Sequence, residues 1–172
     1  MRKFIAVASA AVLVLVIGAS AAGAPATRTL FEGFIHFCGG GPDEVFFVTP
    51  GGTVHFKGGM NFNYWETGNT FIDGPESNIS HGNFNPTSGV VNLDVTLEPY
   101  AHSGTWEISQ ILNFRGNGSF SGHGVGHGTG DLHGMTIKFT TEDPVFFDPA
   151  DKPCFTDIPV SAPVSGVIIS PK

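Results

Sequence analysis

Between Gly122 and His133 the chain sets three histidines, His123, His127 and His133, and one acid, Asp131, within twelve residues. These side chains ligate transition metals, and a metal requires its ligands to converge within about 2 Å of one point. The glycines that alternate with them, Gly122, Gly124, Gly126 and Gly128, mark an extended strand. On a strand His123 and His127 share one face but stand roughly 13 Å apart by the rise per residue. A two-residue turn at Gly130-Asp131 would set His133 opposite Gly128, on the other face of the sheet. One ion cannot be held from both faces, so no metal site is expected, and the histidines read as polar residues of a solvated surface.

Other chemistry is thinner. There is no G-x-S-x-G elbow for a serine nucleophile. Asp143, Asp148, Asp151 and Asp157 lack the spacing of a calcium loop. Asn78-Ile79-Ser80 and Asn117-Gly118-Ser119 match glycosylation acceptors by chance spacing. No cofactor motif is present. The candidates that survive are polar residues on apolar strand faces. Gln110 lies between Ile108 and Leu112. Tyr64 continues the row Val54, Phe56, Met60, Phe62. His133 closes the row that begins at Met135, near Trp106. Buried polar groups need partners, so each of these is satisfied either by neighbours and water or by a bound ligand. Tyr64, Trp106, Gln110 and His133 are the ligand-binding candidates.

The elements that position them are strands. Helical periodicity is absent after residue 26, while period-two alternation and Gly, Asn and Pro punctuation recur throughout. Strands are expected near 28–38, 44–49, 53–66, 69–73, 77–84, 89–98, 104–115, 118–129, 131–141 and 163–170. The Pro- and Asp-rich segment 142–162 is expected to wrap the outside. Pairing Leu97 with Trp106 and Val91 with Leu112 joins two apolar faces without a parity conflict. The turn Gly116-Asn117-Gly118 then sets Phe114 opposite Phe120. A two-residue turn at Gly130-Asp131 would place Gly126, Gly124 and Gly122 opposite Met135, Ile137 and Phe139. The four glycines then face inward between bulky rows, where they allow tight coiling and leave room for a hollow. The fold class expected is all-β: one antiparallel meander barrel of about eight strands, spanning residues 27–172.

Residues 1–26 have the order of a secretory signal peptide. Arg2 and Lys3 precede the uncharged run from Phe4 to Ile17, and small residues follow, with cleavage expected between residues 21 and 26. The run is shorter than the ~20 residues a spanning helix needs. A secreted or extracytoplasmic protein without a stable membrane span is expected. Lys and Arg number 8 against 15 Asp and Glu, a net charge of −7, and losing Arg2 and Lys3 lowers it by two more. Such a surface repels phosphate backbones, so nucleic acid is not an expected partner. Charged residues are 13% of the chain whereas Phe alone numbers 16, the balance of a buried aromatic β core. The two cysteines, Cys38 and Cys154, fall in the exported part, where an oxidising compartment favours a disulfide.

The stretches Gly116-Asn117-Gly118-Ser119-Phe120 and Gly128-Thr129-Gly130-Asp131-Leu132-His133-Gly134-Met135-Thr136-Ile137 resemble glycine-punctuated hairpins of the allene oxide cyclase-like and lipocalin-like (calycin) small barrels. The lipocalin Gly-x-Trp signature is missing, with Phe31-Glu32-Gly33-Phe34 in its place. The resemblance implies an axial cavity and transfers no catalytic or binding residue. Three functions fit: a barrel that binds a small apolar or amphipathic molecule through a mouth near His133 and Trp106, a cyclase- or isomerase-like enzyme, and a structural module with a filled interior. Binding is the leading expectation.

Overall fold

The structure is a computed structural model, and it describes residues 25–40, 45–146 and 160–172. Among the described residues ten strands follow one another: β1 (Thr27–Gly40), β2 (Val45–Val48), β3 (Val54–Glu66), β4 (Gly74–Asn85), β5 (Ser88–Leu97), β6 (Trp106–Arg115), β7 (Phe120–Gly128), β8 (Thr136–Thr141), β9 (Val145–Phe146) and β10 (Val160–Ser170). Among the described residues there is no α-helix, and no helix is long and apolar enough to cross a membrane. Neighbouring strands pair antiparallel in the order β1-β10-β8-β7-β6-β5-β4-β3, and β3 pairs back onto β1. That last pairing closes an eight-stranded meander barrel, with β2 and β9 as short additions to β3 and β10. The seam is shared: β1 meets β10 from Thr27 to His36 and β3 from Phe34 to Gly40.

The middle of the barrel follows from alternation. Leu97 pairs with Trp106, Val91 with Leu112 and Phe114 with Phe120, which buries Val91, Leu93, Val95, Leu97, Ile108 and Leu112 on one face. The 116–118 turn closes with Gly118 N–H donating to the Arg115 carbonyl at 3.0 Å, and Gly118 supplies the positive φ of +83°.

Three expectations are corrected. The Gly130-Asp131 link is not a two-residue turn but a 3-10 turn over Gly130–Leu132. Gly126, Gly124 and Gly122 therefore pair with Ile137, Phe139 and Thr141, two residues further along β8 than expected. Leu132 drives the change: it turns into the end of the barrel and is wholly buried there, which leaves His133 exposed. Segment 69–73 is a turn, not a strand, because the Asn69 carbonyl accepts from Ile72 and Asp73 N–H at 3.0 Å each. Finally, β3 carries a bulge at Gly58, whose φ of +84° sits where the register against β4 shifts between Lys57 and Gly59. One inserted residue flips every later side chain to the other face. Phe56 faces in, but after the bulge Gly59, Asn61, Asn63 and Trp65 do, and Met60, Phe62 and Tyr64 face out.

The inward glycine row exists, and it is filled. Gly122, Gly124, Gly126 and Gly128 are buried, but a Cβ on Gly124 would run into the Phe139 ring, and one on Gly126 into Ile108 and Ile137. The Phe139 ring in turn packs edge-on to Trp65 with centroids 4.9 Å apart. Glycine here makes space for neighbouring side chains rather than for a ligand. The end of the barrel around Trp106 is plugged by Trp65, Ile72, Leu97, Trp106 and Leu132, none of which has any exposure. The Trp106 indole N–H donates to the Phe71 carbonyl at 2.7 Å, which locks the plug.

This packing sets an expectation. Gly124→Ala should destabilise the barrel by about 1–3 kcal/mol, the usual cost of overpacking a filled core, measured as a shift of the urea midpoint. Adding Phe139→Leu should recover part of the loss. A neutral Gly124→Ala would refute close packing at that strand.

Candidate functional site

The open space lies at the other end of the barrel. Four phenylalanines, Phe37, Phe56, Phe84 and Phe114, line it, and a chain of ring contacts joins them through Phe120: Phe56 to Phe84 at 5.5 Å, Phe84 to Phe114 at 5.0 Å, Phe114 to Phe120 at 5.1 Å and Phe120 to Phe37 at 6.3 Å. Aromatic pairs at such separations contribute beyond their buried area, so the mouth is a defined rim. Within it is a cavity of about 230 Å³. Val91, Leu93 and Leu112 from β5 and β6 form its apolar side, and Asn61, Asn63, Asn78 and Ser80 from β3 and β4 its polar side.

That polar wall is a consequence of the Gly58 bulge, which turns Asn61 and Asn63 inward to meet the inward residues of β4. There Gly74, Glu76, Asn78 and Ser80 alternate with outward Pro75, Ser77 and Ile79. The side chains form one network. Asn61 Nδ2–H donates to Asn78 Oδ1 at 3.1 Å and to Ser80 Oγ at 3.3 Å, and the Ser80 hydroxyl donates to the Gly59 carbonyl at 3.1 Å. Asn78 Nδ2–H donates to Glu76 Oε1 at 2.7 Å, and so does Asn63 Nδ2–H at 2.7 Å. The Trp65 indole N–H donates to Glu76 Oε2.

Glu76 is thus a buried carboxyl with three N–H donors and, among the described residues, no paired cation. Burial raises its pKa, because the charged form loses its hydration; the hydrogen bonds from Trp65, Asn78 and Asn63 pull the other way without cancelling the effect. No Lys or Arg is among the buried residues described. Beneath the cavity, and sharing Phe37, Asn63, Leu93 and Leu112 with it, is a niche of about 10 Å³ bordered by Glu76, Gln110 and Thr141. Asn63 Oδ1 and Thr141 Oγ have no partner among the described residues. This is room for about one oxygen atom, with polar groups waiting for it.

The structure separates the four sequence candidates. Gln110 is buried in the niche. Trp106 is inside but belongs to the plug, so the expected mouth beside it is closed. His133 is exposed and reaches no cavity. Tyr64 is on the outer wall, stacked near His36 at 6.3 Å and tilted against Tyr100 at 6.0 Å. Burial, then the negative charges of Tyr100, Asp73 and Glu66, raise its pKa, which makes it a poorer acid than a free tyrosine. His123 and His127 face out from β7, and among the described residues no three His, Cys, Asp or Glu side chains converge to hold a metal. Cys38 is not a free thiol; Cys154 lies outside the described residues.

Two features were not anticipated. Glu76 is one, since β4 offers only Ile79 and Phe84 as apolar guides and they have opposite parity. The other is a Ser-His-Glu contact at the seam: Ser161 Oγ lies 2.7 Å from His36 Nδ1, and Glu66 Oε2 lies 3.0 Å from His36 Nε2. A hydrolytic triad exposes its serine to substrate, but here Ser161 is fully buried and Glu66 is the exposed member. The contact joins β1, β3 and β10 and reads as a fastening of the closed barrel. No family model, curated protein or solved structure matches this chain.

The Glu76 carboxyl has a pH signature. With its folded pKa raised, its stabilising share is complete below about 4.5, the ordinary value, and is lost as pH climbs through the raised folded value. Glu76→Gln removes that titration. The unfolding free energy of the wild type minus that of Glu76→Gln, from urea melts at stepped pH, should fall as pH rises above 4.5. A flat or rising difference would contradict a charge buried without a cation.

Proposed function

We propose that the protein is an exported barrel that binds a small apolar or amphipathic molecule in its interior. The observation that carries this reading is the cavity of about 230 Å³, rimmed by phenylalanines and walled on one side by amides. Apolar walls with a few convergent polar groups are the usual make-up of a small-molecule site. The ligand enters at the phenylalanine mouth, not at the Trp106 end, and lies between the apolar wall of Val91, Leu93 and Leu112 and the amide wall. The cavity holds about eight water volumes at ~30 Å³ each, so the ligand is small. The eight-strand meander supports kinship with the allene oxide cyclase-like and lipocalin-like barrels as part of the same proposal.

A second reading is a cyclase- or isomerase-like enzyme, and Glu76 is what favours it. A buried carboxyl with a raised pKa keeps its proton to higher pH than a free glutamate does, which is what a general acid needs. Of the four ligand-binding candidates read from the sequence, only Gln110 borders the niche beneath the cavity.

Export rests on the leader-like residues 1–26, and the bridge between Cys38 and Cys154 on the oxidising compartment it implies. Such a bridge closes a loop of more than one hundred residues, worth about 4–5 kcal/mol in the chain-entropy treatment.

Binding is tested with ethylbenzene. It should raise the melting temperature by mass action and shift the Trp65 indole N–H resonance, which sits on the Glu76 network, while leaving that of Trp106 in the plug unchanged. If neither quantity moves at saturating probe, the binding reading fails. Intact mass of protein recovered from its host tests export separately: cleavage after one of residues 21 to 26 and the loss of two thiol hydrogens are expected. A full-length chain with two free thiols would overturn both.

A further inference from the structure

We propose that the niche under the cavity is a hydroxyl site, so that the barrel selects small neutral alcohols and rejects carboxylic acids. The proposal rests on the binding reading and adds the chemistry of the head group.

Three observations converge on it. First, the niche holds unused hydrogen-bonding capacity of both signs. Asn63 is 6% exposed and Thr141 2%, and Asn63 Oδ1 and Thr141 Oγ lack partners among the described residues. Asn63 commits its amide N–H to Glu76, so what it offers the niche is an acceptor. Thr141 offers a hydroxyl, donor and acceptor together, and Gln110 an amide with one of each. A ligand hydroxyl donates to Asn63 Oδ1 and accepts from Thr141 or Gln110, which uses both signs at once. A ligand carbonyl only accepts, and would leave Asn63 Oδ1 unpaired.

Second, the size fits one oxygen. A free volume of about 10 Å³ is near the minimum that admits a water, so an alcohol oxygen enters and a carboxylate, with two oxygens, does not.

Third, the electrostatics oppose an anion. Glu76 is the one acid among the buried residues described, and no Lys or Arg is buried with it. An anionic head group beside it would be desolvated without a cation, which is a costly arrangement in a protein interior. The apolar side of the cavity above, formed by Val91, Leu93 and Leu112, then takes the hydrocarbon of the same molecule.

Three probes that share eight carbons separate the outcomes: ethylbenzene, 2-phenylethanol and phenylacetate, titrated into the mature protein by calorimetry with the Trp65 indole resonance as the site reporter. The alcohol should bind about tenfold tighter than the hydrocarbon for each net hydrogen bond it makes, and phenylacetate should bind weaker than either. Thr141→Val should bring the alcohol down toward the hydrocarbon's affinity while leaving ethylbenzene unchanged. Gln110→Met gives the same comparison if the first variant fails to fold. Equal binding of alcohol and hydrocarbon, or tightest binding of phenylacetate, overturns the hydroxyl site and leaves the cavity reading intact. If no probe binds, the binding reading and the hydroxyl site fall together.

Discussion

The Gly58 bulge shifts β3 by one residue against β4, and the character of the interior depends on that shift. Without it, Met60, Phe62 and Tyr64 would face in, and Glu76, Asn78 and Ser80 of β4 would meet an apolar strand. With it, Asn61, Asn63 and Trp65 meet Asn78, Ser80 and Glu76 across the same sheet. Glu76 could not be held in a wholly apolar lumen, because nothing would replace its hydration. It is tolerated because amides and an indole, brought in by a displaced strand, donate to it. The apolar residues displaced outward remain partly bare, Met60 at 41% and Phe62 at 46% exposure.

The two ends of the barrel are built on different terms. Around Trp106, side-chain bulk from turns is folded inward: Ile72 from the β3–β4 connection and Leu132 from the 3-10 turn complete a plug that strands alone could not make. Around Phe114 the rim is aromatic but the centre is left open. The glycines of β7 contribute to the closed part by admitting Phe139, Ile108 and Ile137 where a larger residue would exclude them. Volume removed from one strand is taken up by its neighbours, and the vacant space appears where β3 and β4 present short polar side chains instead of long apolar ones.

Much of the architecture was legible in residue order. β5, β6 and β7 obey strict alternation and are joined by short turns, so Val91/Leu112 and Phe114/Phe120 follow from parity and turn length alone. The β7–β8 link kept its parity but slipped by two, since nothing local says that Leu132 prefers the barrel end to a place in a strand. β3 was misassigned because Gly58-Gly59 admits either a continuous strand or a bulge, and the choice is made by the partner strand. Of the site, Gln110 was visible as a polar residue in an apolar row. Glu76 was not, because its justification lies in Asn63, Trp65 and Asn78, and only the bulge brings the first two to its side. His36 and Ser161 stand 125 residues apart and meet only when the barrel closes.

The shared seam has a further consequence for how the chain becomes a barrel. Among the described strands β1 is made earliest, and its partner over ten residue pairs is β10, made latest. Strands β3 to β8 can pair successively as they appear, but the sheet they make is an open ribbon with an apolar face until the C-terminal strand arrives. Closure across so long a separation is slow, since loop entropy must be overcome before the contacts reward it. The later half of β1 can pair with β3 early, but its first half waits for β10, and the ribbon needs shelter from other ribbons in the interval.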